Sequence, residues 1–149
     1  MLPPVKDALV GFAAGALATV PMTAEFWVAW RAKLIDEVPP HKAIRSVTSR
    51  LGEPELSIVS AVAHLIVGGV AGAAYAVMVP RRLRGIASGT VFGLGVWATG
   101  YEVVMPAATD IEPAHRDQRS RAGTIFVAHV IFGAVLGMTM AARRPSRPS

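Results

Sequence analysis

Of 149 residues, 52% are hydrophobic and 17% charged, against about 45–50% and about 25% in an ordinary soluble domain. One domain is the expected count for this length, and so much apolar surface has no interior to enter in a small water-soluble fold, which argues against a soluble enzyme. The lack of cysteine excludes disulfides, thiolate metal sites, iron–sulfur ligation and cysteine nucleophiles. The net charge of +5 comes from basic residues beside apolar segments and in the tail, where membrane proteins carry them. No folded basic domain remains to enter a nucleic-acid groove, so the lipid bilayer, and no nucleic acid, is the expected partner.

In chain order, four apolar stretches stand out at 8–30, 58–79, 85–106 and 124–142. About 20 helical residues cover the hydrocarbon core, and a chain inside it must satisfy its own backbone. The expected fold is therefore all-α, a four-transmembrane-helix bundle in a single integral membrane domain. The first stretch is too long for a signal-peptide core and three more follow it, so it reads as a retained span. Between the first two, Pro39 and Pro40 open a new element, in which Ala43, Ile44, Val47 and Leu51 share one face. That spacing predicts a short interfacial helix. The loop around Asp110, Glu112, His115 and Asp117 reads as exposed, and the tail, 143–149, as disordered.

Four spans put both termini on one side, with the Arg81, Arg82, Arg84 turn and the Arg143, Arg144, Arg147 tail. Lys and Arg divide seven to eight between the two sides. The terminal-side arginines are compact, abut helix ends and lack acidic neighbours, whereas the opposite loops mix both signs. This favours cytoplasmic termini.

The second stretch contains Val62, Ala63, His64, Gly68 and Gly72; the fourth contains Val127, Ala128, His129, Gly133 and Gly137. The pattern VAH-x-x-x-G-x-x-x-G thus occurs twice in the same direction, and each copy ends in paired arginines near a proline. The first and third stretches each carry early glycines (Gly11, Gly15; Gly85, Gly89, Gly93) and one late glutamate. A duplicated helical hairpin follows, with a parallel pseudo-twofold axis along the membrane normal. The spacing of four predicts that Gly68, Gly72, Gly133 and Gly137 let helix backbones approach closely.

Only Glu25 and Glu102 among the acids, and His64 and His129 among the histidines, fall inside these stretches. At about 1.5 Å rise per residue, all four lie roughly 6–9 Å below the same surface, which suggests the pairs Glu25–His64 and Glu102–His129. A carboxylate inside a membrane pairs, faces the bundle interior or changes protonation. Three readings stay open for these residues: hydrogen-bonded pins that fix helix register, a relay or site for protons or a cation, and haem ligation by His64 and His129. The Glu-x-x-His spacing of di-iron bundles is missing. No P-loop, dinucleotide fingerprint, H-E-x-x-H or nucleophile elbow occurs either. No catalytic residue and no cofactor is assigned, and whether a metal binds is left open. Pro21 should kink the first helix near Glu25, and Trp27, Trp30, Trp97 and Tyr101 should act as interfacial anchors.

The stretch Gly11 to Glu25 (GFAAGALATVPMTAE), the two histidine helices and the Gly-Tyr-Glu-Val-Val-Met-Pro end of the third stretch resemble the YagU-like group of small bacterial inner-membrane proteins. The resemblance implies a four-helix protein of the bacterial inner membrane without an assigned activity, and it carries over no catalytic residue. The competing functions are a proton- or cation-handling membrane protein and an accessory subunit, whether a homo-oligomer or part of a larger membrane complex.

Overall fold

The computed structural model describes residues 3–48, 50–109 and 111–143. Among them every regular element is helical: α1 (Pro3–Arg31), α2 (Pro39–Val47), α3 (Glu53–Met78), a 3-10 turn (Arg81–Leu83), α4 (Ile86–Thr99), a π-helical segment (Gly100–Val104), α5 (Met105–Ala108) and α6 (Arg119–Ala141). Asp110 and the tail beyond Arg143 lie outside the described residues.

Three of these helices, α1 from Val5, α3 and α6, are long and apolar enough to cross a membrane. Their outward positions are apolar as well as their inward ones: Leu17 is 61% exposed, Val67 62% and Val77 64%. A helix that is apolar all round is made for lipid or for a large core, and a chain of this size has no large core. The chain is accordingly a small membrane protein.

α1 packs along α3, α4 along α6, and α1 also along α6. α3 and α4 meet through an edge-on contact of Tyr75 with Phe92, ring centroids 5.3 Å apart, and a 2.8 Å hydrogen bond between the Tyr75 and Ser88 hydroxyls. The interior is built from small residues, Ala14, Ala18 and Ala128, with Phe26, Phe132, Leu136 and Met140 between them. The four glycines expected at helix contacts are all there. A Cβ on Gly72 would lie 2.2 Å from the Gly11 carbonyl oxygen, and one on Gly68 2.1 Å from a Thr19 methyl carbon. On the other side, a Cβ on Gly133 would lie 2.3 Å from the Gly89 carbonyl oxygen and one on Gly137 2.1 Å from that of Gly85.

α1 is helical through Pro21 and ends where Lys33 takes a left-handed φ of 59°. There the Leu34 amide donates to the Ala29 carbonyl at 2.9 Å, a hydrogen bond that closes a helix C-terminus around one left-handed residue. α2 forms where the two prolines and the apolar spacing place it, although it stops at Val47, so Leu51 lies beyond it. Arg45 ties α2 to its surroundings by ion pairs to Glu37 at 2.9 Å and Glu53 at 3.0 Å. α3 starts five residues earlier than its apolar stretch because Gly52 and Pro54 set its first turn, where Glu53 and Glu55 favour the positive helix end.

Beyond Thr99 the α-helical pattern gives way to the π segment, in which the Met105 amide reaches back to the Gly100 carbonyl. Such a wide turn inserts extra backbone and rotates whatever follows. It places the far end of the third stretch differently from the plain helix expected there.

Candidate functional site

Glu25 is half-buried on α1, and its Oε2 is buried with no hydrogen-bond partner among the described atoms. His64, on α3, does not pair with it. Its Nδ1 instead shares a 3.1 Å hydrogen bond with the Thr23 hydroxyl of α1, and its ring lies 6.1 Å from that of Phe26. His129 donates from Nδ1 to the Ile125 carbonyl of its own helix at 2.8 Å. Glu102 accepts a 2.7 Å hydrogen bond from His115. Neither expected Glu–His pair is therefore made.

For Glu102 the reason is register. The glycine contacts place Gly15 against the Gly68 carbonyl and Gly72 as they place Gly89 against the Gly133 carbonyl and Gly137. Carried along both helices, that correspondence brings His64 onto His129 but Glu25 onto Thr99. Glu102 sits three residues further, inside the π segment, and turns toward the loop that holds His115. The expected layer of four residues is therefore not assembled as pairs: Glu25 has no described partner at Oε2, each histidine bonds elsewhere, and Glu102 belongs to the loop side.

That loop side holds a cluster the sequence reading treats as exposed loop. Asp117 has a side chain only 5% exposed. Its Oδ1 accepts from Arg121 at 2.6 Å and its Oδ2 from the Tyr101 hydroxyl. Arg121, 8% exposed, also bonds Asp36, whose carboxyl it holds below the ordinary carboxylate range. Ile111, in the same loop, is buried as well. Tyr101 is thus an internal hydrogen-bond donor rather than an interfacial anchor, and the Trp97 Nε1 is likewise buried. Trp27 and Trp30, 43% and 42% exposed, stack edge-on at 5.4 Å in the half-exposed setting that interfacial tryptophans occupy. The one local signal for the cluster was the spacing of four between Asp117 and Arg121, which suits an ion pair along a helix start.

At the opposite end, Asp7 bridges Arg81 and Arg84. It accepts from Arg81 Nε at 2.9 Å and from Arg84 Nη2 at 3.1 Å. The basic turn therefore has an acidic neighbour after all. The side chain of Arg84, 7% exposed, also donates to the Val79 carbonyl at 3.0 Å and to that of Ala76.

Among the described residues, no three His, Asp or Glu side chains converge as they would on a metal ion. Chemistry at Glu25 would then rest on a single carboxylate. The model of a family of unknown function, DUF6789, matches residues 5–148, a range that takes in both glycine contacts and both ion clusters. The chain belongs to DUF6789. No curated protein and no solved structure matches it. Among the described residues, this chain is a helix bundle with a buried, unpartnered carboxylate oxygen at Glu25 between two charged ends.

Proposed function

We propose that the chain is a four-span protein of the bacterial inner membrane, built from a duplicated hairpin, and that Glu25 exchanges a proton or a cation within it. The equivalent glycine contacts of α1 with α3 and of α4 with α6 support the duplication. The run from Ile86 to Ala108, helical throughout if the π segment is counted, supports the fourth span. The likeness to YagU-like proteins is part of the same reading, as are cytoplasmic termini. Fusing a reporter after Ser149 and another within 107–121 is expected to give opposite sidedness. Equal sidedness would remove the fourth span.

The observation that carries the functional reading is the unpartnered Oε2 of Glu25. Elsewhere the carboxylates of Asp7, Asp36, Glu37, Glu53, Glu102 and Asp117 have basic partners. A buried carboxylate without a counter-charge costs several kcal/mol, and uptake of a proton or cation relieves that cost. A single carboxylate without converging ligands suits a proton better than a multivalent metal.

Purified protein in liposomes enclosing a pH-sensitive dye should carry protons down an imposed gradient. Glu25→Gln should abolish the flux while the fold persists, because glutamine keeps the shape but exchanges no proton. His64→Ala should retain flux and lose about 1 kcal/mol of stability through its hydrogen bond to Thr23. Wild-type flux equal to that of empty liposomes would overturn the reading. The second reading, in which polar groups only fix helix register, is favoured by that Thr23–His64 bond between α1 and α3. It expects no flux from either protein.

A further inference from the structure

Where the first turns of α1, the Arg81–Leu83 turn and the end of α6 meet, a cavity of about 280 Å³ opens, with Lys6, Asp7, Arg81, Arg84 and Arg143 on its wall. Four positive charges face one carboxylate. Asp7 is already engaged by Arg81 and Arg84, whereas Lys6 and Arg143 have no ion-pair partner among the described residues. A concave wall with an excess of one sign focuses potential into its opening. Arginine forks match the oxygens of a phosphate.

We propose that this cavity binds a phosphate-bearing anion, either the headgroup of an anionic lipid or a soluble phosphate. Three features fix the class of ligand. The excess charge calls for an anion. The depth of the site, at the first turns of one apolar helix and the last residue described beyond another, is that of the headgroups, where basic pockets between helices take anionic lipids. Val10 and Met140, the remaining wall residues, give the site an apolar side that accepts glycerol or the start of an acyl chain. Glu25 takes no part in the site, so its test is independent of proton flux.

The full chain in detergent is titrated with phosphatidylglycerol or phosphatidylcholine and read by native mass spectrometry. In parallel, the chain in phosphatidylcholine nanodiscs is melted with and without inorganic phosphate. Lys6→Gln and Arg143→Gln remove exposed charges that hold no other described group, so both variants should melt like the wild type without ligand. Arg82→Gln, in the same turn but off the cavity wall, is the control for diffuse surface charge. Preferential retention of phosphatidylglycerol, weakened about fivefold by each cavity variant and unchanged in Arg82→Gln, assigns a lipid headgroup; fivefold corresponds to about 1 kcal/mol per basic residue near an anionic surface. A rise in melting temperature with phosphate that the cavity variants lose assigns a soluble anion. Equal retention of both lipids together with no phosphate effect overturns the proposal, and so does an Arg82→Gln loss as large as that of the cavity variants.

Discussion

Gly72→Ala and Gly137→Ala are expected to destabilise the protein severely, although each adds one methyl group. At position 72 the new carbon would sit 2.2 Å from the Gly11 carbonyl oxygen and 2.6 Å from the Gly15 Cα. At position 137 it would sit 2.1 Å from the Gly85 carbonyl oxygen and 3.0 Å from the Gly89 Cα. The obstacles are backbone atoms, so no rotamer change clears them and the two helices must move apart. Overpacking of this kind costs about 1–3 kcal/mol and sometimes more. The top of that range applies here, since the separation also breaks close contacts along the whole seam. Gly123→Ala is the matched comparison. A Cβ there meets nothing within 4 Å, and alanine in a helix is favoured over glycine by about 0.5–1 kcal/mol, so this variant should equal or exceed the wild type. Unfolding in mixed micelles followed by circular dichroism separates the two classes. Equal stability of Gly72→Ala, Gly137→Ala and Gly123→Ala would mean that these helices do not meet through their glycines.

The glycine seams were legible because a repeat every four residues has only one meaning on a helix, a single face, and because the pattern VAH-x-x-x-G-x-x-x-G occurs twice. Gly11, Gly15, Gly85, Gly89 and Gly93 stood out in the sequence only as early glycines of the first and third stretches, and their place opposite the seams comes from the fold. α2 was legible from its prolines and the spacing of Ala43, Ile44 and Val47. The π segment at Gly100–Val104 was not, since a widened turn changes neither composition nor apolar length. The glycine register already sets Thr99, not Glu102, at the position equivalent to Glu25, and Glu102, inside the widened turn, bonds His115.

The polar site was legible in part. Hydropathy isolates Glu25, His64 and His129 as ionisable groups within apolar stretches, and that is all it does. It cannot choose their partners, because a hydrogen bond such as Thr23–His64 joins residues far apart in the chain and leaves no periodic trace. The same holds for Asp7 with Arg81 and Arg84, and for Asp36 with Arg121. Counting charges by loop treated these residues as solvated, whereas the side chains of Arg84 and Arg121 are 7% and 8% exposed. Their burial follows from chain closure: helix ends that converge bring their flanking charges together, and only complementary signs can then be buried.

Arg121→Gln is expected to be the most damaging change at the loop end, because it leaves the Asp117 carboxylate in place without its buried cation. Removing one partner of a buried pair costs about 3–5 kcal/mol, and Asp117 keeps the Tyr101 hydroxyl and the Gln118 amide, both uncharged donors, as compensation. Asp117→Asn is expected to be costly too, since Arg121 then faces an amide and retains only Asp36 as a carboxylate partner. The double variant Asp117→Asn/Arg121→Gln should lose less than the sum of the two single losses, with a coupling of about 0.5–3 kcal/mol, because no uncompensated charge is left inside. Asp36→Asn sets the scale for the outer edge of the cluster: its side chain is 66% exposed, so its ion pair is worth at most about 1 kcal/mol. The Asp36 carboxyl is held below its ordinary range by Arg121, so its contribution is present above the unfolded carboxylate pKa. It fades as the pH falls through the lowered folded value, and Asp36→Asn should flatten that small acid-side loss. Chemical denaturation in micelles at neutral and acidic pH measures all four variants. If Arg121→Gln unfolds at the wild-type midpoint, or the double variant loses the full sum, then Asp117 and Arg121 do not hold this end of the bundle together.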